Sequence, residues 1–267
     1  MLKRPIDQHL AQEQEEESKV APWTMRQTWL GIGLTMIPWI ALALALNSLG
    51  NATSRTAPLS FRVDLLNAII TLIFSALIEG AFLIAPLYFA NAVFRSLPSR
   101  TSKAFQALGF RKSSLGRAVG YILGFMLLIF IINFAYSSII TTFHLNLQTN
   151  DQVILARSKL APITTYATLF AAVFIAPFCE EIFFRGFVFP GLLKGMPVGA
   201  AIVVSSLLFA VAHADPGSFV VLLVIGLALA FVRWSTNSIW PGMALHMLNN
   251  AIGALSILLV MWGMMKP

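Results

Sequence analysis

Charge and cysteine are both scarce in this chain. Only 11% of its 267 residues are Asp, Glu, Lys or Arg, whereas 58% are hydrophobic. That balance excludes an ordinary water-soluble domain and is typical of polytopic membrane proteins. The single cysteine, Cys179, excludes a disulfide framework and a thiolate metal cluster.

Several hydrolase signatures are also missing from the sequence. It has no G-x-S-x-G nucleophile elbow, no H-E-x-x-H zinc motif and no Gly-x-Gly-Asp of the intramembrane aspartyl kind. The formal charge of +7 comes mostly from cations in the segments between apolar runs, so it indicates membrane orientation and not nucleic-acid binding.

Seven apolar runs follow a polar start to the chain. Each has roughly 17 to 30 residues, enough to cross a hydrocarbon core about 30 Å thick as a helix. They cover residues 27–48, 65–94, 117–142, 163–193, 197–213, 217–234 and 238–262. We therefore predict an all-α, polytopic membrane protein with a bundle of seven transmembrane helices, or eight if one long run is broken.

The distribution of cations predicts the orientation of these helices. Because Lys and Arg are retained on the cytoplasmic side of short loops, the cation-rich loop between the second and third runs is placed in the cytoplasm. That loop holds Arg95, Arg100, Lys103, Arg111, Lys112 and Arg117. The same assignment puts the N-terminus in the cytoplasm of a multi-pass plasma-membrane protein, whose expected partners are the lipid bilayer and a membrane-associated protein or peptide, with no nucleic acid.

Two adjacent carboxylates, Glu180 and Glu181, lie inside the fourth run, where an ionisable residue costs about 2.5 to 3.5 kcal/mol on insertion scales. Glu181 and Arg185 have the i,i+4 spacing that favours an ion pair. Successive helical residues are about 100° apart, so we predict that the two glutamates face different partners. Glu180 is then the free carboxylate, suited to activating water.

Further polar residues on two other runs are predicted to meet Glu180. Counted from the turn at 194–197, Glu180 and His213 lie at similar depth, about 21 and 24 Å along their helices. Phe209 is one turn before His213 and is expected to wall the same pocket. On the last run His246 and Asn250 share a face, and Asn249 is expected to turn away.

These residues leave two chemistries open. Glu180, His213 and His246 are enough ligands for a single divalent metal such as zinc. With no metal, Glu180 and His213 would activate water, and His246 and Asn250 would donate to the oxyanion of a tetrahedral intermediate. For Glu181 and Arg185 the spacing favours a purely structural ion pair over a catalytic role, whereas for Glu180 both interpretations stay open. Glu79 is expected either to pack between helices or to line the cavity.

The three motifs together resemble those of the CPBP family, the CAAX proteases and bacteriocin-processing enzymes also called Abi. The resemblance covers residues 160 to 262 and depends on E-E-x-x-x-R at 180–185, F-x-x-x-H at 209–213 and H-x-x-x-N at 246–250. It implies an intramembrane endopeptidase whose cavity opens toward the cytoplasm. It also implies catalytic roles for Glu180, His213, His246 and Asn250, and supporting roles for Glu181, Arg185 and Phe209.

On this basis the chain divides into three predicted parts. They are a disordered polar tail at 1–25, N-terminal transmembrane helices and loops at 26–162, and a CAAX-protease-like catalytic core at 163–262. Two other functions fit the composition: a non-catalytic membrane scaffold or bacteriocin-immunity protein, and a transporter or proton relay, which the lack of repeat symmetry disfavours.

Overall fold

The computed structural model of the chain describes residues 20–52, 57–147 and 149–266, and within these ranges it contains nine helices and no strand. The helices are α1 (Met25–Ala52), α2 (Phe61–Val93), α3 (Arg100–Ala107), α4 (Leu115–Thr142), α5 (Asn150–Ser158), α6 (Pro162–Leu192), α7 (Val198–Ala212), α8 (Phe219–Thr236) and α9 (Trp240–Met261).

All seven apolar runs form helices, which confirms the predicted all-α class. By length and composition α2, α4, α6, α8 and α9 can each cross a membrane, while α7 is a shorter apolar helix of 15 residues. The two longest runs, 65–94 and 163–193, each form one helix, α2 and α6, and neither is broken into separate helices. The count of seven spans stays a prediction. The short helices α3 and α5 lie in the connections and were not predicted.

The helix α6 departs twice from α geometry. Residues Ala171–Ile175 and Glu181–Val188 are π-helical, and each segment is followed within two residues by a proline, Pro177 or Pro190. A proline ring clashes with the carbonyl four residues earlier and removes one helical N–H. The wider π turn relieves that clash, and so α6 continues as one element.

The core is built around the aromatic residues of α6. Phe183, Phe184 and Phe187 are fully buried, and the ring of Phe183 lies edge-on to Phe82 of α2, with centroids 5.1 Å apart. Phe82 belongs to a single 3₁₀ turn, Ala81–Leu83, where α2 departs from α geometry. This turn packs against the centre of α6, where the polar groups of the site lie.

The start of α1 is also fastened to this core. Trp23 is fully buried and stacks on Phe187 at 5.1 Å, and Ala21 is buried beside it. Both residues fall within the segment predicted as a disordered tail. Residues 1–19 of that segment lie outside the described residues, so the prediction for them stays a prediction.

A carboxylate on α2 caps the beginning of α6. Asp64 is buried, and its side chain accepts hydrogen bonds from the backbone N–H groups of Ile163 and Thr164 at 2.8 and 3.0 Å. The first N–H groups of a helix have no partner within the helix, and the Asp64 carboxylate supplies the acceptor for two of them. Asp64 therefore fixes α6 against α2.

Candidate active site

Glu181 and Arg185 form the predicted ion pair in the buried face of α6. Their Oε1 and Nη1 atoms are 3.0 Å apart, and both side chains are fully buried. Arg185 also donates from Nη2 to the carbonyl oxygen of Gly226 at 3.2 Å, and its guanidinium lies 4.3 Å from the ring centroid of Phe209. A carboxylate, a carbonyl and an aromatic face around a buried cation offset part of the cost of its burial.

His246 lies between the two glutamates. Its Nδ1 is 3.2 Å from Glu181 Oε1, and its Nε2 is 3.8 Å from Glu180 Oε2. The prediction that Glu180 and Glu181 face different partners was therefore wrong for this residue. An imidazole has nitrogens on both sides of its ring, and the change from α to π geometry at Glu181 makes the 100° rule inexact here.

His213 stands at the C-terminal end of α7 and faces Glu180 from the other side. Its Nδ1 lies 2.8 Å from the carbonyl oxygen of Phe209. A carbonyl only accepts, so Nδ1 donates, and in the neutral imidazole Nε2 is left with a lone pair. That Nε2 is 3.9 Å from Glu180 Oε2, a buried oxygen without a hydrogen bond among the described residues.

The gap between Glu180 and His213 therefore separates two acceptors. Neither can donate to the other while the carboxylate is ionised and the imidazole is neutral. A water molecule has two O–H groups and can donate to both at once. The arrangement suits a water whose proton is removed by the carboxylate.

Phe209 packs against both histidines, and its role as a wall of the pocket stays a prediction. Its ring centroid lies 4.5 Å from that of His213 and 5.5 Å from that of His246, and the residue is fully buried. The ring thus contacts both imidazoles and Arg185, and it fixes their relative positions by packing.

Asn250 lies on the same helix face as His246, one turn further along α9. Its Nδ2 donates to the carbonyl oxygen of Ala172, in the first π segment of α6, at 2.8 Å. This bond uses one of the two N–H donors of the amide and leaves the other free to reach a substrate. Asn249 was predicted to turn away, but its Nδ2 donates to Asn250 Oδ1 at 3.2 Å, which orients the amide.

Two features of the site were not predicted from the sequence. The indole N–H of Trp39, on α1, donates to the carbonyl oxygen of Ala212 at 2.7 Å, immediately before His213. Gly242 lies beside the ion pair, where an added Cβ would be 3.1 Å from Glu181 Oε2. A buried indole N–H needs an acceptor, which was the available signal for Trp39. Gly242 gave no comparable signal.

The chain turns sharply behind His213. Ala214 adopts φ +47°, a left-handed conformation that is uncommon for a residue with a Cβ. The next residue, Asp215, accepts from the backbone N–H of Asn150 at 3.0 Å and from that of Ser218 at 3.1 Å. Asp215 thus joins this turn to the start of α5 and holds the end of α7 in place.

The predicted metal alternative requires Glu180 and the two histidines to stand slightly closer together than they do here. Two donors of one tetrahedral zinc ion stand about 3.4 Å apart, given bonds of about 2.1 Å. Glu180 is 3.9 Å from His213 and 3.8 Å from His246. Within the described ranges, no three His, Cys, Asp or Glu side chains are grouped as a metal site.

The fold and site define a class: a polytopic helical membrane protein with a carboxylate and two histidines gathered from three helices. Comparison with known proteins shows what this class is similar to. Residues 162–252 match the model of the Rce1-like family, described as "Type II CAAX prenyl endopeptidase Rce1-like". This segment is thus similar to that family, and the CPBP resemblance inferred from the three motifs is confirmed.

Two curated relatives are similar to larger parts of the chain. An "Uncharacterized protein" of Mycoplasma capricolum subsp. capricolum is 30% identical over 152 residues, which cover 54% of this chain and 43% of that protein. The "Putative membrane peptidase YdiL" of Bacillus subtilis is 27% identical over 169 residues, which cover 62% of this chain and 66% of that protein. The chain thus spans less than two thirds of either relative. No solved structure matches it.

Proposed function

We propose that the chain is an intramembrane endopeptidase that hydrolyses peptide bonds of membrane-associated or CAAX-type substrates with a water activated by Glu180 and His213. The observation that carries this proposal is the gap of 3.9 Å between two acceptors, a buried carboxylate oxygen and an imidazole Nε2. The family match supports peptidase chemistry in general.

In the proposed reaction, Glu180 takes a proton from the water while its oxygen attacks the substrate carbonyl carbon. The charge that develops on the carbonyl oxygen is stabilised by His246 and by the free N–H of Asn250. His246 can donate from Nε2 when both ring nitrogens carry a proton, and Glu181 at Nδ1 compensates the charge of that form. Arg185 and Phe209 hold Glu181 and the two imidazoles in position.

The proposal extends to the setting of the reaction. We place the protein in the plasma membrane with its N-terminus in the cytoplasm, as the cation-rich loop between α2 and α4 indicates. Labelling of single cysteines placed near residue 20 and in that loop, in intact and in permeabilised cells, tests this orientation. Both sites should react only after permeabilisation, and labelling of either in intact cells would contradict the orientation.

Comparison of membrane proteomes tests the activity without a known substrate. Cells expressing the wild type, Glu180→Gln or His213→Ala are compared by mass-spectrometric mapping of new peptide termini in the membrane fraction. We expect a set of termini that only the wild type produces, because loss of a general base costs about 10²- to 10⁴-fold in rate. His144→Asn changes an exposed histidine outside the site and serves as the control.

The same experiment separates the proposal from a binding function. A scaffold or immunity protein requires the fold and not the carboxylate, so Glu180→Gln would leave the termini and any cellular phenotype unchanged. Equal sets of termini from the wild type and both variants, at equal amounts of membrane protein, would refute the peptidase.

A further inference from the structure

A buried arginine outside the three motifs lies against the backbone of α6. Arg233, near the end of α8, is only 2% exposed. Its Nε donates to the carbonyl oxygen of Arg185 at 3.0 Å, and its Nη1 donates to Asn237 Oδ1 at 3.0 Å. Within the described ranges, no carboxylate lies at ion-pair distance from it. Burial of a cation without a counterion is costly, so these hydrogen bonds have to offset that cost.

The carbonyl oxygen of Arg185 has no donor within its own helix. In an α-helix it would accept from the N–H of Phe189, four residues later. In the π segment Glu181–Val188, however, that N–H donates one residue further back, to the carbonyl oxygen of Phe184. The corresponding π donor for Arg185 would be residue 190, which is Pro190 and has no N–H. The sequence therefore leaves this buried carbonyl without a backbone donor.

The Nε–H of Arg233 takes the place of the N–H that Pro190 lacks. A buried carbonyl without a donor costs free energy comparable to that of a lost hydrogen bond. A guanidinium carries five N–H donors, so it can serve Arg185 and Asn237 with different nitrogens. Gly109, between α3 and α4, leaves room for this group, because a Cβ there would lie 2.9 Å from Arg233 Nε.

Three successive contacts connect Arg233 with the candidate active site. The Arg233 Nε is 3.0 Å from the carbonyl oxygen of Arg185, and the Nη1 of Arg185 is 3.0 Å from Glu181 Oε1. That carboxylate oxygen is in turn 3.2 Å from His246 Nδ1. All four residues are buried. A shift of the Arg185 backbone would therefore move the Glu181 carboxylate relative to His246.

We propose that Arg233 is a positioning residue of this site. It replaces the backbone donor that Pro190 lacks, and so it holds the π segment in the register that brings Glu181 to His246. The inference rests on the proposed peptidase function, in which Glu181 compensates the charge of His246. It assigns a role to a buried cation of α8 that the three motifs do not include.

Pro190→Ala tests the proposal because it restores the missing donor. In π geometry the N–H that this change introduces reaches the carbonyl of Arg185, and in α geometry the N–H of Phe189 does so. Arg233→Met keeps a long side chain and removes its donors. Cells expressing the wild type, each single variant or the double variant are compared. The measured quantity is the rate at which wild-type-specific peptide termini appear in the membrane fraction, per amount of monodisperse protein in detergent.

The loss caused by Arg233→Met should depend on residue 190. With Pro190 present we expect this change to lower the cleavage rate about 10²-fold, because a misplacement of about 1 Å in a catalytic site costs that much. Together with Pro190→Ala, the same change should lower the rate less than about tenfold, since the two positions are coupled. Arg117→Met changes an exposed arginine and should leave the rate unchanged.

Histidine ring signals give a readout that needs no substrate. The Nδ1 of His246 is 3.2 Å from Glu181 Oε1, and the Nδ1 of His213 is 2.8 Å from the carbonyl oxygen of Phe209. Two Nδ1–H signals are therefore expected from the full ¹⁵N-labelled chain in detergent, and His246→Gln and His213→Gln assign them. Arg233→Met should shift the first signal and leave the second in place. A general loss of structure would affect both.

Each other outcome has a defined meaning. Equal rate losses in both backgrounds of residue 190 would overturn the proposal, because Arg233 would then not act on Arg185. So would a Pro190→Ala protein as inactive as Arg233→Met, an unmoved His246 signal, or an equal shift of both histidine signals. If Arg233→Met does not accumulate, accumulation restored by Pro190→Ala supports the proposal, and its failure in both backgrounds refutes it. A wild type without termini of its own, together with the expected shift of the His246 signal, would refute the peptidase and leave the positioning of Glu181 intact.

Discussion

The helix that carries Glu180, Glu181 and Arg185 and the helices of the N-terminal half differ sharply in burial. Of the most apolar 18 residues of α6, 61% are buried, against 17% in α2 and 11% in α4. Glu180, Glu181 and Arg185 all lie in α6. The comparison shows how a membrane protein accommodates three ionisable groups on one helix: neighbouring helices cover that helix and present their own apolar faces to lipid.

The largest effect is expected from breaking the ion pair of Glu181 and Arg185 in the buried helix α6. Glu181→Ala leaves Arg185 as an uncompensated buried cation, which should lower the free energy of unfolding by about 3 to 5 kcal/mol. Reduced amounts of protein in the membrane and a lower thermal midpoint in detergent would report this loss.

The double variant Glu181→Leu and Arg185→Leu is the control and should recover most of the stability. It should not recover activity, since His246 still lacks its Nδ1 partner. A Glu181→Ala protein as stable as the wild type would show that the charges of α6 do not need each other, and would contradict the contrast between α6 and the N-terminal helices.

The second prediction compares how closely helices pack around one glycine of α8 and one glycine of α4. A Cβ on Gly226 of α8 would lie 3.0 Å from Ser206 Cβ and 3.2 Å from the Ser206 carbonyl oxygen, so Gly226→Ala should cost about 1 to 3 kcal/mol. Gly124 of α4 has nothing within 4 Å of such a Cβ, and because Ala favours a helix over Gly, Gly124→Ala should keep or raise stability, by up to about 1 kcal/mol. Thermal unfolding of both variants in the same detergent makes the comparison. Equal costs would contradict it.

Trp39 lies on α1, in the N-terminal half of the chain, but it contacts the candidate active site. Trp39→Phe removes the donor to the Ala212 carbonyl and should cost about 1 kcal/mol of stability. Because His213 follows Ala212 directly, we expect peptide cleavage to fall further than stability does. Cleavage rates normalised to the folded amount, with exposed Trp29→Phe as the control, measure this. A loss of activity no larger in Trp39→Phe than in the control would remove Trp39 from the site.

The smallest effect is expected on the lipid-facing surface. Leu127 of α4 is 62% exposed, so Leu127→Ala exchanges one apolar contact with lipid for another and should change stability by less than about 0.5 kcal/mol. Ile129, on the same helix, is 3% exposed, and Ile129→Ala should cost about 2 kcal/mol or more. If Leu127→Ala proved as costly as Ile129→Ala, a further protein surface would have to cover this face of α4.

Much of this arrangement could be predicted from local patterns. Long apolar runs predicted the helices because a bilayer permits few other structures. The i,i+4 spacing of Glu181 and Arg185 predicted their ion pair, and the spacing of Phe209 and His213 predicted their contact. These predictions succeeded because each depends on residues of a single helix.

Contacts between helices could not be predicted in the same way. The bond from Trp39 to Ala212 joins residues 173 positions apart, and apolar faces that are equally suited to lipid and to protein do not specify their neighbour. His246 was predicted to meet Glu180 only. Its position between both glutamates involves the π geometry that begins at Glu181. The two prolines of α6 were visible in the sequence. Whether a proline kinks a helix or is absorbed by a π turn depends on tertiary packing.

The cap that Asp64 forms on α6 has a consequence for biosynthesis. Of the five candidate spans, α6 shares the lowest mean hydropathy, 1.7, and two glutamates and an arginine lie along it. Its free N-terminal N–H groups find their acceptor on a helix that is synthesised about a hundred residues earlier. We therefore expect α2 to be retained near the insertion machinery until α6 emerges, so that α6 enters the bilayer already paired with a partner.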